Sequence, residues 1–209
     1  MGFANGLAVY GANVGALMEI EVSVVPNAFG SGKLTVTGVV DEEEIGVPGR
    51  TMRRKSMARG SLENVLTVLW SRFGIDYHKF DIHVNFPGGG PVDGPSAGVT
   101  AAAAIYSAVN NIPIDNTVAM TGEISIRGLV KPVGGVSAKI AAAKQAGAHR
   151  VIIPKENWQE LYKSFGIEVV TVETIDEVLR HALVKVGDLC RLEVLAPKHD
   201  FLPAAGMKM

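Results

Sequence analysis

Between residues 87 and 98 the chain reads Pro-Gly-Gly-Gly-Pro-Val-Asp-Gly-Pro-Ser-Ala-Gly, and no regular element can run through it. The prolines remove backbone donors and fix φ, while the glycines admit positive φ and close approach to a neighbouring group. The segment therefore separates two elements. Before it, residues 81–86 alternate, with Ile82, Val84 and Phe86 on one side, which predicts a half-buried strand. After it, residues 97–109 are uncharged and alanine-rich, which predicts a buried helix with Ser96 at its start.

Other patterns surround this junction. Residues 7–10, 17–25 and 34–40 are β-rich and separated by glycine, asparagine and proline, predicting an antiparallel meander with 26–32 as its longest turn. An acidic run, 41–44, follows. Leu62, Val65, Leu66 and Leu69 repeat at helical spacing behind Ser61 as N-cap, predicting a helix that stops near Gly74. Residues 118–126 and 128–133 predict a hairpin turning at Arg127-Gly128. Residues 136–146 predict a small-residue helix ended by Gly147, and 151–153 and 168–172 predict strands. Thr174 and Glu177 form a capping box for a last helix running to about Val184. No internal repeat is visible. The mixture predicts an α+β (mixed α/β) domain over 1–185, with 186–209 as a C-terminal extension or frayed tail.

Composition narrows the function classes. The chain is 47% apolar and 20% charged, as a packed domain should be, and a net charge of −1 supplies no field for nucleic acid or an anionic membrane. The single cysteine, Cys190, excludes an internal disulfide, fits a reducing compartment and has no site-like context as a nucleophile. The apolar run 99–109 is about half of a ~20-residue membrane span, and the first residues lack the regions of a secretory signal. The expected location is the cytoplasm. Arg50, Arg53, Arg54, Lys55 and Arg59 form a basic cluster without interleaved aromatics, so a solvated or subunit-contact face is expected rather than a nucleic-acid site.

From the residues alone, Ser96 has three readings. It is an N-cap, part of an anion cradle at a helix N-terminus, or a nucleophile beside helix N–H groups able to donate to an oxyanion. No lysine closes the loop in P-loop fashion, and Gly32-Lys33 is followed by leucine. A nucleophilic serine needs a base. Of the five histidines, His83 alternates opposite Ile82 and Val84, which favours a structural role. His149 and His181 sit near element ends, and His78 and His199 have no context. Lys139 stands beside Ile140, Ala141, Ala142 and Ala143. Burial there would lower its pKa towards the range of about 7–8 useful to a base, whereas the same spacing also fits a surface lysine with its stem along apolar surface. Both readings stand.

Together the segments resemble the Ser-Lys peptidase domain of the Lon protease family, over about residues 6–184. Asp93-Gly94-Pro95-Ser96-Ala97-Gly98 is similar to the family's nucleophile motif. Ala119-Met120-Thr121-Gly122-Glu123-Ile124, followed by Arg127-Gly128, is similar to its central hairpin motif. Lys131-Pro132-Val133-Gly134-Gly135-Val136-Ser137-Ala138-Lys139 is similar to its lysine motif, and Val151-Ile152-Ile153-Pro154 with Asn157 adds a further stretch. The resemblance implies that Ser96 attacks the scissile carbonyl with Lys139 as its base, and that Thr121 holds the lysine. It also implies that Asp93 shapes the loop and pairs with Lys139 in a resting arrangement.

The resemblance further implies a ring, usually of six subunits, whose substrates are unfolded or damaged proteins. It implies no cofactor in this chain, with ATP and magnesium bound by an upstream ATPase module. Val92 stands where the common bacterial form has lysine, and Ser137-Ala138 replaces a charged pair. The nucleophile motif is similar to the LonA type, and the lysine region to bacterial LonB-like or LonC-like forms. Met1 falls where the family's peptidase domain begins, which implies a piece of a longer protein. The competing expectation is a non-catalytic Lon-like ring scaffold of a DNA-repair or chelatase-related ATPase. Such domains have typically lost the serine or the lysine, and this chain keeps both.

Overall fold

The computed structural model describes residues 1–11, 13–39, 42–47, 50–88 and 93–185, with 42–47 and 50–55 described by backbone only. Val92, Cys190, His199 and the tail 186–209 lie outside the described residues, as do the side chains of Arg50, Arg53, Arg54 and Lys55.

Two long β-rich segments start the sheet. β1 (Phe3–Tyr10) and β2 (Val14–Pro26) pair antiparallel from Phe3↔Glu21 to Tyr10↔Val14. β3 (Leu34–Thr37) departs from the expected meander: it pairs parallel with a later strand, not antiparallel with β2. β4 (Glu42–Val47) and β5 (Arg50–Lys55) form a separate hairpin whose register sets Glu42, Glu43 and Glu44 opposite Lys55, Arg54 and Arg53.

α1 (Met57–Phe73) begins at Ser56 rather than Ser61, because the Ser56 hydroxyl accepts from Arg59 N at 3.3 Å. Ser61 is buried inside the helix, and its hydroxyl donates to the Pro95 carbonyl at 3.3 Å. The helix ends, as the pattern predicts, at Gly74, whose φ of 70° is left-handed. β6 (Phe80–Asn85) then takes the place beside β2. Ile82 and Val84 on β6 are 2% and 0% exposed, whereas Leu34 and Val36 on β3 are only half-buried. The more apolar strand goes inside and β3 becomes the edge.

α2 (Gly98–Asn110) is the expected alanine-rich helix, with Ala101 to Ala104 all fully buried. The predicted strand 118–126 splits in two. β7 (Val118–Met120) joins the main sheet parallel to β1, while β8 (Glu123–Ile124) pairs antiparallel with β9 (Val130–Lys131). Gly122 lies at the break, so close to its surroundings that a Cβ there would stand 2.9 Å from Val130 Cγ1 and 3.0 Å from Val99 Cγ1.

α3 (Val136–Gln145), β10 (Arg150–Pro154), β11 (Glu168–Val172) and α4 (Ile175–Ala182) follow as the sequence predicts. Thr174 caps α4, and the Glu177 carboxylate accepts from Glu173 N at 2.7 Å. The main sheet is mixed, in the order β11-β10-β7-β1-β2-β6-β3. One core, with α1, α2 and α4, fills one face, and a second, with α3, fills the other. The result is the expected α+β fold. Among the described residues no helix is long and apolar enough to cross a membrane.

Candidate active site

The glycine- and proline-rich loop is anchored at both ends of its described part. Asp93 Oδ1 accepts from Met57 N at 2.8 Å, Ala58 N at 3.2 Å and the Ser56 hydroxyl at 3.3 Å, so it caps the start of α1. Burial works to raise its pKa, but the N–H groups of Ala58, Gly94 and Met57 and the Ser56 hydroxyl outweigh it and hold the carboxyl below its usual value. Gly94 follows with φ 122° and ψ 150°, a region open essentially to glycine alone. Residues Pro95–Ala97 then make one 3₁₀ turn that leads into α2, and Ser96 sits half-buried in it.

The Ser96 carbonyl is held twice, by Gly122 N at 2.9 Å and by the Thr121 hydroxyl at 3.2 Å. Thr121 itself is fully buried at the end of β7. Its hydroxyl also accepts from Lys139 Nζ at 3.0 Å. One buried hydroxyl thus joins the serine backbone to the lysine amine.

Lys139 is on α3 and only 3% exposed. Burial brings its pKa down from 10.5 to about 8, because the ammonium form loses hydration. Of the two readings open in the sequence, the structure takes the buried one. α3 is set in place by contacts to its backbone and to the chain before it. Asn157 clamps the chain before it, with Oδ1 accepting from Val133 N at 2.8 Å and Nδ2 donating to Val133 O at 3.0 Å. Against β2, a Cβ at Gly15 would lie only 2.1 Å from the Ala138 carbonyl oxygen.

A cleft of about 600 Å³ opens over these groups. Residues 6–10, Met18, Ile20, 93–97, Glu123, 132–135 and Lys139 are among its lining. It brings Ser96, Lys139 and Asp93 to one space, with Thr121 behind its wall. Two contacts are not made among the described residues. Asp93 is turned to α1 and does not pair with Lys139, and among the described residues no hydrogen bond joins the Ser96 hydroxyl to the Lys139 amine.

The described histidines stand elsewhere. His83 is exposed on the outer sheet face with Nε2 3.1 Å from Thr37 Oγ1, and His78 Nδ1 lies 3.0 Å from Asp76 Oδ1. Among the described residues no three His, Cys, Asp or Glu side chains gather as a metal site. The sequence did not announce Ser56 as the partner of Asp93, nor the clamp made by Asn157. Asn157 bonds Val133, 24 residues away, and a contact over that separation leaves no local periodicity.

Comparison with known proteins follows the same lines. A family model described as the Lon protease (S16) C-terminal proteolytic domain matches residues 1–185. The chain is 59% identical over 185 residues to Lon protease 2 of Bacillus subtilis (strain 168), covering 88% of this chain and 33% of that protein. It is 41% identical over 192 residues to an archaeal Lon protease of Thermococcus kodakarensis, covering 88% and 28%. Lon protease 3 of Sorangium cellulosum is 40% identical over 192 residues, with 88% and 21% covered. The chain thus spans a third or less of the length of these relatives.

Proposed function

The chain belongs to the Lon protease C-terminal proteolytic domain family and is a peptidase domain, and from that premise we propose that Ser96 and Lys139 carry its chemistry. The observation that supports this is the buried chain from Lys139 Nζ to the Thr121 hydroxyl at 3.0 Å and on to the Ser96 carbonyl at 3.2 Å, at the wall of the cleft that Ser96 lines.

Neutral Lys139 takes the Ser96 proton as the hydroxyl oxygen attacks the scissile carbonyl. The resulting ammonium then gives a proton to the leaving amine nitrogen as the C–N bond breaks, leaving an acyl ester on Ser96. Water, activated by the again-neutral amine, hydrolyses that ester and restores the serine. The step requires the hydroxyl within hydrogen-bond reach of the amine while Gly122 and Thr121 hold the Ser96 backbone. Thr121 positions the lysine, and Asp93, fixed to α1, positions the loop. β7 pairs with β1 at Asn5 and Gly6, so, among the described residues, 7–10 keep a backbone edge in the cleft with Ser96 along which an extended peptide can add.

Extended chains are what an unfolded or damaged protein presents, and these are the proposed substrates. In the complete protein, the domain acts in a cytoplasmic ring, of six subunits by family resemblance, with ATP and magnesium used by an upstream module. The chemistry proposed here draws only on Ser96, Lys139 and water. The test is hydrolysis of an unfolded casein-like protein by the wild-type chain, Ser96→Ala and Lys139→Ala. Cleavage by the wild type with both variants silent is expected, and equal cleavage by all three overturns the dyad.

A further inference from the structure

We propose that Tyr10 and Met18 close the far end of a side-chain pocket beside Ser96 and set the length of apolar side chain accepted on the acyl side of the scissile bond; this rests on the peptidase reading above.

The register of β1 and β2 places Gly6 opposite Met18, Ala8 opposite Ala16 and Tyr10 opposite Val14. Strand alternation puts all of these on the face shared with Ala4 and Ile20, which belong to the core on the α2 side. Leu7 points the other way, into the core with Val136 and Ile140 of α3. β1 therefore divides the cleft. The Lys139 amine, which must reach the leaving nitrogen, enters from the α3 side. The leaving segment accordingly lies on that side, and the side chain of the acyl residue turns towards the other.

On that other side the wall is apolar and shaped. Ala8 and Ala97 project little and leave a trough between them, while at Gly6 the Ile20 Cδ1 and Thr100 Cγ2 atoms, 3.4 and 3.5 Å from where a Cβ would stand, floor it. Met18 is half-buried against the core, and its sulfur accepts from the Tyr10 hydroxyl at 3.7 Å. Tyr10 is 43% exposed, so its ring borders the mouth of the cleft instead of sinking into the core. The charged lining groups Asp93, Glu123 and Lys139 come from other elements, leaving this wall without a charge to pair. An unbranched or γ-branched apolar side chain fits such a trough, and a bicyclic aromatic one meets the Tyr10–Met18 contact.

The experiment is a series of fluorogenic peptides identical except for alanine, leucine, methionine, phenylalanine or tryptophan before the scissile bond. The wild-type chain is expected to favour leucine or methionine over tryptophan. Tyr10→Ala and Met18→Ala are each expected to raise the tryptophan-to-leucine ratio of kcat/KM by about tenfold, the scale of a few atoms of pocket space. Tyr10→Phe, which keeps the ring, is expected to retain the wild-type ratio, and circular dichroism checks that each variant is folded. Cleavage with an unchanged ratio in both alanine variants overturns this inference and leaves the peptidase reading intact. No cleavage of any peptide by the wild type, matching Ser96→Ala, overturns the peptidase reading and this inference together.

Discussion

A primary amine that is 3% exposed and, among the described residues, donates to a threonine hydroxyl carries two opposite consequences at Lys139. The first concerns rate. With a pKa of about 8, about a tenth of the amine is neutral at pH 7 and about half at pH 8. Peptide hydrolysis is expected to rise with pH and level off above about 8, and a kcat/KM profile measures this. An inflection near the ordinary histidine value, or none, would sink the assignment of Lys139 as base. The second concerns stability. The folded pKa lies below the unfolded value of 10.5, so below pH 8 both states hold the proton and the folded state bears the full burial cost. Between 8 and 10.5 the folded state alone has shed it, so stability climbs with pH. The burial cost at neutral pH is on the order of 3 kcal/mol, less about 1 for the hydrogen bond to Thr121. Lys139→Met is therefore expected to abolish hydrolysis yet raise unfolding stability by about 1–3 kcal/mol at pH 7, a gain that shrinks at pH 9.5, as urea titrations at both pH values read out.

The elements act here through their spacing. α3 delivers Lys139 because Gly15 lets β2 approach the Ala138 carbonyl, and the neighbouring atom is backbone that cannot swing aside. Gly15→Ala is expected to destabilise the fold by about 1–3 kcal/mol. It should also depress hydrolysis beyond that loss, since moving α3 moves the amine. Unchanged kcat in the folded variant would mean that α3 has slack. Elements also show where local patterns were readable. The alternation at Ile82, Val84 and Phe86, the alanine-rich helix and the Thr174 N-cap all appear where the residues predict them, because each pattern is satisfied locally; the Glu177 carboxylate reaches Glu173 N, one residue before the N-cap. Ser56 and Ser61 can both cap a helix, and the Pro95 carbonyl, distant in sequence, takes the Ser61 hydroxyl while Ser56 caps. The fate of 34–40 depended on which strand would lie beside β2, a competition between buried areas that no single segment contains.

For the whole molecule, the cleft is the seam between two cores on opposite faces of one sheet, with β1 in the middle. The chain carries no P-loop sequence and spans a third of Bacillus subtilis Lon protease 2. Hydrolysis of an unfolded substrate by this chain is accordingly expected to be unchanged by ATP and magnesium, measured by fluorescent casein release. A several-fold acceleration would overturn the proposed division of labour between peptide cleavage and an upstream module. The residues by themselves determined the fold class, the loop that interrupts 87–98 and, through several ordered motifs, the family. Those properties are written in local spacing and in chemical type, which a linear chain displays. They left open whether Lys139 was a surface cation or a buried amine, and they gave no partner for Asp93, which the family resemblance alone set against Lys139 in a resting arrangement. Only the tertiary structure decided both, because burial and partnership are properties of what packs around a side chain: α3 and β7 enclose Lys139 with Thr121, and the bare N–H groups of α1 draw Asp93 away.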